Sequence, residues 1–252
     1  MVTSELWDKT FDGMYCIHYI PYKERKPHLD AEFKRIKMLD AKNFHWAYTV
    51  DSPFYDDVYE KEIALQDREG VPKGSLIVSL EHLRCIKIAY ELGYKRILMM
   101  ENDVTFIKDL DLIQKYLENI PEDADVIYFD YIFGLANELD RYQEQKQKKI
   151  NDYYCDLESL KRIWSAGCYS LSRKGMEYVI KNQEYLICGP EHYLCGSKAK
   201  FNMEQKRAFT VEPMAIQRHY DNSLRNGEID QFHRKYKLMG IDLDNYSDNG
   251  AE

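Results

Sequence analysis

Short apolar runs alternate with amphipathic segments along the first half of the chain, and this alternation constrains the fold more than any other feature. Residues 14–20, 44–50 and 96–100 are rich in β-branched, aromatic and other apolar side chains, which is typical of strands. In the segment 76–90 apolar residues recur at helical spacing instead. Strands that alternate with helices predict an α/β fold with a largely parallel sheet covered by helices.

The third apolar run ends abruptly in an acid-amide-acid triplet, Glu101-Asn102-Asp103. In a largely parallel sheet, ligands gather at the carboxyl ends of the strands, where this triplet would lie. Glu101 and Asp103 are two residues apart, so in extended chain their side chains would share one face. Two interpretations follow: the acids cap a turn or helix, or they hold a divalent cation that bridges to substrate phosphates.

Composition excludes several classes of protein. The 43 acidic against 35 basic residues give a net charge of -8, which would repel nucleic acid and anionic lipid. The longest apolar runs match single strands and fall short of the ~20 residues of a bilayer span, so we expect a cytoplasmic protein. Six cysteines without a CxxC pair predict reduced thiols rather than a zinc ribbon or a redox motif.

Five segments, taken together, resemble glycosyltransferase family 25, which includes lipooligosaccharide galactosyltransferases and the collagen galactosyltransferase domain. They occur in the order and spacing of that family, and the resemblance covers roughly residues 14–226. The segments are MYCIHYIPYKERKPHLDAEF, SLEHLRCIKIAYELGYKRILMMENDV, DADVIYFDY, SAGCYSLSRKGMEYVI and GPEHYL.

The resemblance implies a GT-A-like, Rossmann-like fold, a UDP-sugar donor carrying galactose or glucose, and inversion at the anomeric carbon. It also implies a manganese or magnesium ion at the triplet, with Asp103 as the main ligand and Glu101 turned toward the ribose or a metal-bound water. Arg25 would contact the donor, although it could also lie in a solvated charged turn. Asn102 stands where the family usually has an acid, and Glu81 where it has a serine.

The implied acceptor is a hydroxyl of a glycan or a lipid-linked saccharide, as in lipopolysaccharide biosynthesis. Two carboxylates are candidates for the base that takes its proton. Asp130 closes an apolar run, and Glu191 corresponds to the acid of the family's acid-histidine pair. We favour Glu191, because that pair follows the segment where the family places its acceptor side. Other interpretations are a helix cap for Glu191 and a structural or sugar-contacting role for Asp130.

Two histidines could complete the metal shell, since imidazole is an acceptable ligand for a manganese-like ion. They are His192 and His219, and the alternative for each is a polar surface group. The segment EPMAIQRHYDNSLRN resembles the closing motif of the family, with Gln217, Asn222 and Ser223 in matching places.

The remaining segments are predicted as parts of one glycosyltransferase domain. Residues 1–13 would be an N-terminal extension and residues 242–252 a frayed tail. The almost wholly polar residues 135–149 are either a solvated helix or a flexible insert, which could act as a lid over the acceptor. Residues 205–240 carry seven Lys and Arg against four acids, which predicts solvated surface, phosphate steering or peripheral contact with a membrane.

Other classes of function remain open at this stage. A GT-A-like domain could have lost its chemistry through Asn102 and Glu81 and serve as a carbohydrate-binding or scaffolding module. An acidic pair after a parallel strand also suits a metal-dependent phosphatase or nucleotidyltransferase.

Overall fold

The computed structural model describes residues 1–50, 56, 60, 73–133, 138–157, 163–164, 166–181, 205–218 and 229–247. In this part of the chain the helices are α1 (Ser4–Thr10), α2 (Arg25–Arg35), α3 (Lys73–Glu91), α4 (Leu110–Glu118), α5 (Glu138–Lys146), α6 (Arg173–Lys181) and α7 (Ile229–Leu238). The strands are β1 (Gly13–Tyr19), β2 (Phe44–Thr49), β3 (Arg96–Glu101), β4 (Val104–Phe106), β5 (Val126–Tyr128), β6 (Ile132–Phe133), β7 (Tyr154–Asp156), β8 (Ile163–Trp164), β9 (Cys168–Ser172), β10 (Arg207–Thr210) and β11 (Ala215–Gln217). Short 3-10 turns lie at Ile20–Tyr22 and Leu243–Asn245.

Seven of the described strands form one sheet in the order β2-β1-β3-β9-β5-β10-β7. Strands β2, β1, β3, β5 and β10 run in one direction, while β9 and β7 run in the other. The three predicted apolar runs coincide with β1, β2 and β3 to within one residue at each end. The predicted α/β class, with a Rossmann-like, mostly parallel sheet flanked by helices, is confirmed.

Burial explains why these runs become strands and helices. Residues 97–100 of β3 have no exposed surface, as expected for a strand covered on both faces. Phe33 of α2 packs its ring against Phe44 and Trp46 of β2 at 5.3 and 5.6 Å between centroids. After α3, Gly93 has φ +80°, a left-handed conformation that glycine adopts without strain and that ends a helix.

The N-terminal residues expected as an extension form part of the core. Thr3 caps α1 by accepting from the backbone N–H of Leu6, and Trp7 is fully buried. The Trp7 indole donates to the Ile36 carbonyl at 2.8 Å. Helix α1 is therefore fastened to the end of α2, and residue 13 already belongs to β1.

The prediction of a frayed tail is wrong for residues 242–247. Leu243 and Tyr246 are buried, and the Tyr246 hydroxyl donates to the Pro213 carbonyl at 2.6 Å. The polarity of the segment concealed this, because two apolar side chains are enough to dock a short turn. Residues 248–252 lie outside the described part of the chain.

The polar segment 135–149 contains helix α5, so the helical interpretation is confirmed for the residues described. This helix is docked through Tyr142, which is buried and whose hydroxyl donates to the Val211 carbonyl at 2.8 Å. One aromatic side chain supplies the contact that an apolar stripe would otherwise provide. Residues 135–137 lie outside the described part.

Two expectations from composition concern the cysteines and the membrane. Cys16, Cys85, Cys155 and Cys168 are buried free thiols, while Cys188 and Cys195 lie outside the described residues. Among the helices described, none has both the length and the apolar character needed to cross a membrane.

Candidate functional site

The triplet lies in a tight turn between β3 and β4, at the edge of the sheet where the parallel strands end. β3 ends at Glu101, and the chain turns at Asn102 and Asp103 before β4 begins. The turn is held from two sides: the Glu101 N–H donates to the Gly167 carbonyl at 2.9 Å, and the Arg218 N–H donates to the Asp103 carbonyl at 2.5 Å. The two acids therefore sit on a fixed backbone at the edge predicted for them.

Arg25, the first residue of α2, reaches directly into this turn. Its Nη1 donates to Asn102 Oδ1 at 2.8 Å and lies 3.6 Å from Asp103 Oδ2. The guanidinium is 3% exposed and lies 4.3 Å from the centre of the Tyr22 ring. A buried cation next to a carboxylate is stable only when it is well bonded, so Arg25 belongs to the built site and not to a solvated turn.

The side-chain amide of Asn102 has an unused donor group. Its Oδ1 accepts a hydrogen bond from Arg25, whereas its Nδ2 is buried and has no hydrogen-bond partner among the described residues. A buried donor without an acceptor is unfavourable by about 1–3 kcal/mol. A ligand oxygen that accepted from Nδ2 would remove this cost.

Glu101 is bonded to the protein interior through His82 of α3. The Nε2 atom of His82 lies 3.3 Å from Glu101 Oε1, and its Nδ1 atom lies 2.7 Å from the Tyr169 hydroxyl. The two rings are nearly parallel, at 17° with 5.6 Å between centroids. The neighbouring Glu81 is buried and accepts from Arg84 Nε at 2.7 Å within α3.

Asp130 lies below the surface next to Gly167, whose carbonyl accepts from the Glu101 N–H. It has no exposed area, and the Tyr236 hydroxyl donates to its Oδ1. Burial, followed by the charge of Asp130, raises the pKa of Tyr236 well above its usual value, so this hydroxyl remains a donor. A Cβ on Gly167 would lie 2.4 Å from Asp130 Oδ2 and 3.3 Å from Gln217 Cγ, so only glycine fits there.

An open cleft of about 440 Å³ lies at the carboxyl ends of β1 and β2, beside the start of α2. Its lining residues are His18, Ile20, Lys23, Lys26, Pro27 and Tyr48. Tyr48 is 50% exposed and presents its ring, whereas His18 is buried. Burial, then the charges of Lys26 and Arg25, lower the pKa of His18, so its imidazole is neutral near pH 7. Its Nδ1 has no hydrogen-bond partner within the described part of the chain.

The structure brings together five of the residues singled out in the sequence: Arg25, Glu101, Asn102, Asp103 and Asp130. Gln217 ends β11, beside Gly167. The other candidates from the sequence lie outside the described residues, and they are Glu191, His192, His219, Asn222 and Ser223.

Sequence reasoning missed the cleft and the bond between His82 and Glu101. The cleft residues Lys23 and Lys26 stand in the same charged segment as Arg25, and Tyr48 stands near the end of β2. Their position at strand ends was the available signal.

The chemistry of the donors suits a hard cation beside phosphate. Within the described ranges, no group of three or more His, Cys, Asp or Glu side chains is arranged to enclose a metal ion. A magnesium-type ion at a nucleotide needs only one or two protein carboxylates, because phosphates and water supply the other oxygens. Glu101 and Asp103 are two such carboxylates with partly exposed side chains.

Comparison with known proteins adds little to this geometry. No protein-family model matches the chain, and no curated protein matches it. Among solved structures, the chain is similar to mannose-1-phosphate geranyltransferase from Thermus thermophilus, with 11% identity over 79% of this chain and 72% of that chain and a TM-score of 0.40. None of these matches assigns a family to the chain, and the resemblance to glycosyltransferase family 25 stays a prediction.

The contact between Gly167 and Asp130 gives a prediction about stability. We expect Gly167→Ala to lower the free energy of unfolding by about 1–3 kcal/mol, because a methyl group is forced into a closely packed site. In an Asp130→Ala background the same change should lower the free energy of unfolding by less, since the carboxylate oxygen that the methyl group would contact is absent. Urea denaturation of the four proteins in this double-mutant cycle measures the difference. Equal losses in both backgrounds would contradict a clash with Asp130.

Proposed function

We propose that the protein is an inverting, metal-assisted glycosyltransferase that moves galactose or glucose from a UDP-sugar to a hydroxyl of a glycan or lipid-linked saccharide. The observation that carries the proposal is the grouping of two carboxylates with the buried Arg25 at the carboxyl end of β3, in a sheet whose strands β1 and β2 end at an open cleft. Such a grouping suits a ligand that has both a diphosphate and a ring. The ordered family-25 motifs of the sequence supply the reaction type.

The diphosphate of the donor is assigned to the triplet. Asp103 and Glu101 would hold a manganese or magnesium ion there, and that ion would stabilise the negative charge of the departing diphosphate. Arg25 adds a positive charge that needs no rearrangement, since its side chain is already bonded in place. Asn102 Nδ2 offers a donor to an oxygen of the donor substrate. His219 is the proposed third ligand on the strength of the sequence motif alone.

The nucleoside end of the donor is assigned to the cleft at β1 and β2. The half-exposed ring of Tyr48 can stack on a base, and base-aromatic stacking contributes about 1–3 kcal/mol per base. Lys23 lies in the same lining and adds positive charge on the path to the phosphates. Neutral His18, with Nδ1 unoccupied by any described residue, can bond a polar edge of the base or ribose.

The chemical step is a single displacement at the anomeric carbon. The acceptor oxygen forms a bond to that carbon while the bond from carbon to the UDP oxygen breaks, and UDP leaves with the electron pair. The acceptor proton passes to a carboxylate. Asp130 is fully buried and engaged by Tyr236, whereas a base must touch the acceptor. We therefore assign the role of base to Glu191. Asp130 is assigned a structural role, in which its carboxylate packs against Gly167.

Metal dependence of donor binding is the first test. At a UDP-galactose concentration of about 100 Kd, a bound ligand raises apparent stability by about 2.7 kcal/mol. We expect this stabilisation to require manganese and to appear as a thermal shift in the parent protein and in the control variant Asp111→Ala. The Asp111 side chain is 80% exposed on α4. Asp103→Ala should fold but lose the shift.

A parent-like shift in Asp103→Ala would contradict the metal role of this residue. A parent protein that binds no nucleotide-sugar with manganese would favour a carbohydrate-binding module. Metal-dependent cleavage of phosphate monoesters would instead identify a phosphatase.

The cleft is tested separately through Tyr48. Loss of a stacking ring should weaken uridine binding by about 5- to 150-fold, which corresponds to about 1–3 kcal/mol. We expect Tyr48→Ala to show this loss in calorimetric titration with uridine and to bind inorganic pyrophosphate with manganese as the parent does. Equal binding of uridine by the variant and the parent would place the base elsewhere.

The base assignment is tested by two isosteric changes. Removing a general base typically lowers turnover by ~10²–10⁴-fold without weakening donor binding. We expect Glu191→Gln to show this pattern for sugar transfer, with unchanged affinity for UDP. Asp130→Asn serves as the comparison, and a loss of that size at Asp130 alone would move the base there.

A further inference from the structure

We propose that His82 is a positioning residue that holds the Glu101 carboxylate at the metal-nucleotide site, with the Tyr169 hydroxyl fixing His82 in turn. The inference rests on the proposed function, since it explains how that site is kept in place. It is carried by an unbroken chain of contacts from the core to the edge of the sheet: 2.7 Å from the Tyr169 hydroxyl to Nδ1, and 3.3 Å from Nε2 to Glu101 Oε1.

The bonding rules of the three groups assign the direction of this chain. An ionised Glu101 carboxylate can only accept hydrogen bonds, so Nε2 of His82 carries the hydrogen. In a neutral imidazole Nδ1 then accepts, and the Tyr169 hydroxyl is its donor. Each of the two imidazole nitrogens therefore has a suitable partner: the Glu101 carboxylate selects the tautomer of His82, and the Tyr169 hydroxyl satisfies Nδ1.

Burial shows that this histidine does more than fill space. Neither His82 nor Tyr169 has any exposed side-chain surface, whereas Glu101 is 23% exposed. A buried polar side chain costs free energy unless it is hydrogen-bonded, and an apolar residue would pack between α3 and the sheet without that cost. The Tyr169 ring stacks nearly parallel to the imidazole, in an orientation that directs Nε2 at Glu101 Oε1.

Two substitutions at His82 test the Nδ1 contact and the Nε2 contact separately. The amide of Asn reaches about as far as Nδ1, so His82→Asn can keep the bond to Tyr169 but not the bond to Glu101. The longer His82→Gln reaches about as far as Nε2 and can keep the bond to Glu101. Groups that orient metal ligands typically change metal affinity by ~10–100-fold when removed.

The measured quantity is the ratio of UDP affinities with and without manganese, determined by calorimetry. We expect His82→Asn to lower this ratio by ~10–100-fold and His82→Gln to keep most of it. Loss of packing alone would lower stability and leave the ratio unchanged, so thermal unfolding without ligand is recorded for each variant.

Tyr169→Phe tests the anchor without disturbing the ring stack, and it covers the case in which His82→Asn fails to fold. We expect it to lower the ratio as well. Tyr154→Phe is the matched control. Tyr154 is equally buried and donates its hydroxyl hydrogen to the Tyr116 carbonyl at 2.7 Å, but it lies in β7, at the far edge of the sheet. This variant should keep the parent ratio.

The outcomes distinguish this inference from the function on which it rests. If manganese strengthens UDP binding in the parent, then a parent-like ratio in His82→Asn or Tyr169→Phe overturns the positioning role while the proposed function stands. The role is also overturned if His82→Gln is no better than His82→Asn. If manganese has no effect on UDP binding by the parent, the proposed function fails, and the inference fails with it.

Discussion

The parallel hydrogen-bonded ladder between β1 and β3 is the interaction on which the candidate site depends. It sets Ile17 beside Glu101, so both strands end at the same edge and the turn after β1 starts α2 within reach of the triplet. Arg25 can then donate a hydrogen bond to Asn102, because only a short connection separates β1 from α2. The antiparallel strand β9 starts at this edge too, and Gly167 just before it accepts from the Glu101 N–H. A register slip would separate these partners and turn their side chains to the other face.

The sequence was sufficient for the parts of the site that local patterns control. An apolar run such as residues 97–100 predicts a strand buried on both faces, and the acids that follow it must then lie at a strand end. Arg25 comes directly after the first strand, at the same edge, and it reaches the triplet, while its contact with a donor stays a prediction. The strands themselves are predictable because strand and helix periodicity are properties of a few consecutive residues.

Tertiary contacts account for what the sequence could not predict. The bond from His82 to Glu101 depends on how α3 lies against β3, and periodicity places His82 on a buried face without naming its partner. The docking of α5 through Tyr142 and of the C-terminal segment through Tyr246 depends on single aromatic side chains. Each buries a large area and bonds one backbone carbonyl, so segments that are polar on average are still held against the core.

The amide at position 102 bears on whether the site can work. An acid there would pair directly with Arg25 and neutralise its charge. Asn102 instead accepts from Arg25 through a neutral oxygen, with Asp103 at the longer distance of 3.6 Å. In the proposed function, the guanidinium would face an anionic ligand, while Asp103 and Glu101 would supply oxygen ligands to a cation. A metal-bound diphosphate would need both kinds of partner, so Asn102 is compatible with the proposed nucleotide-sugar chemistry.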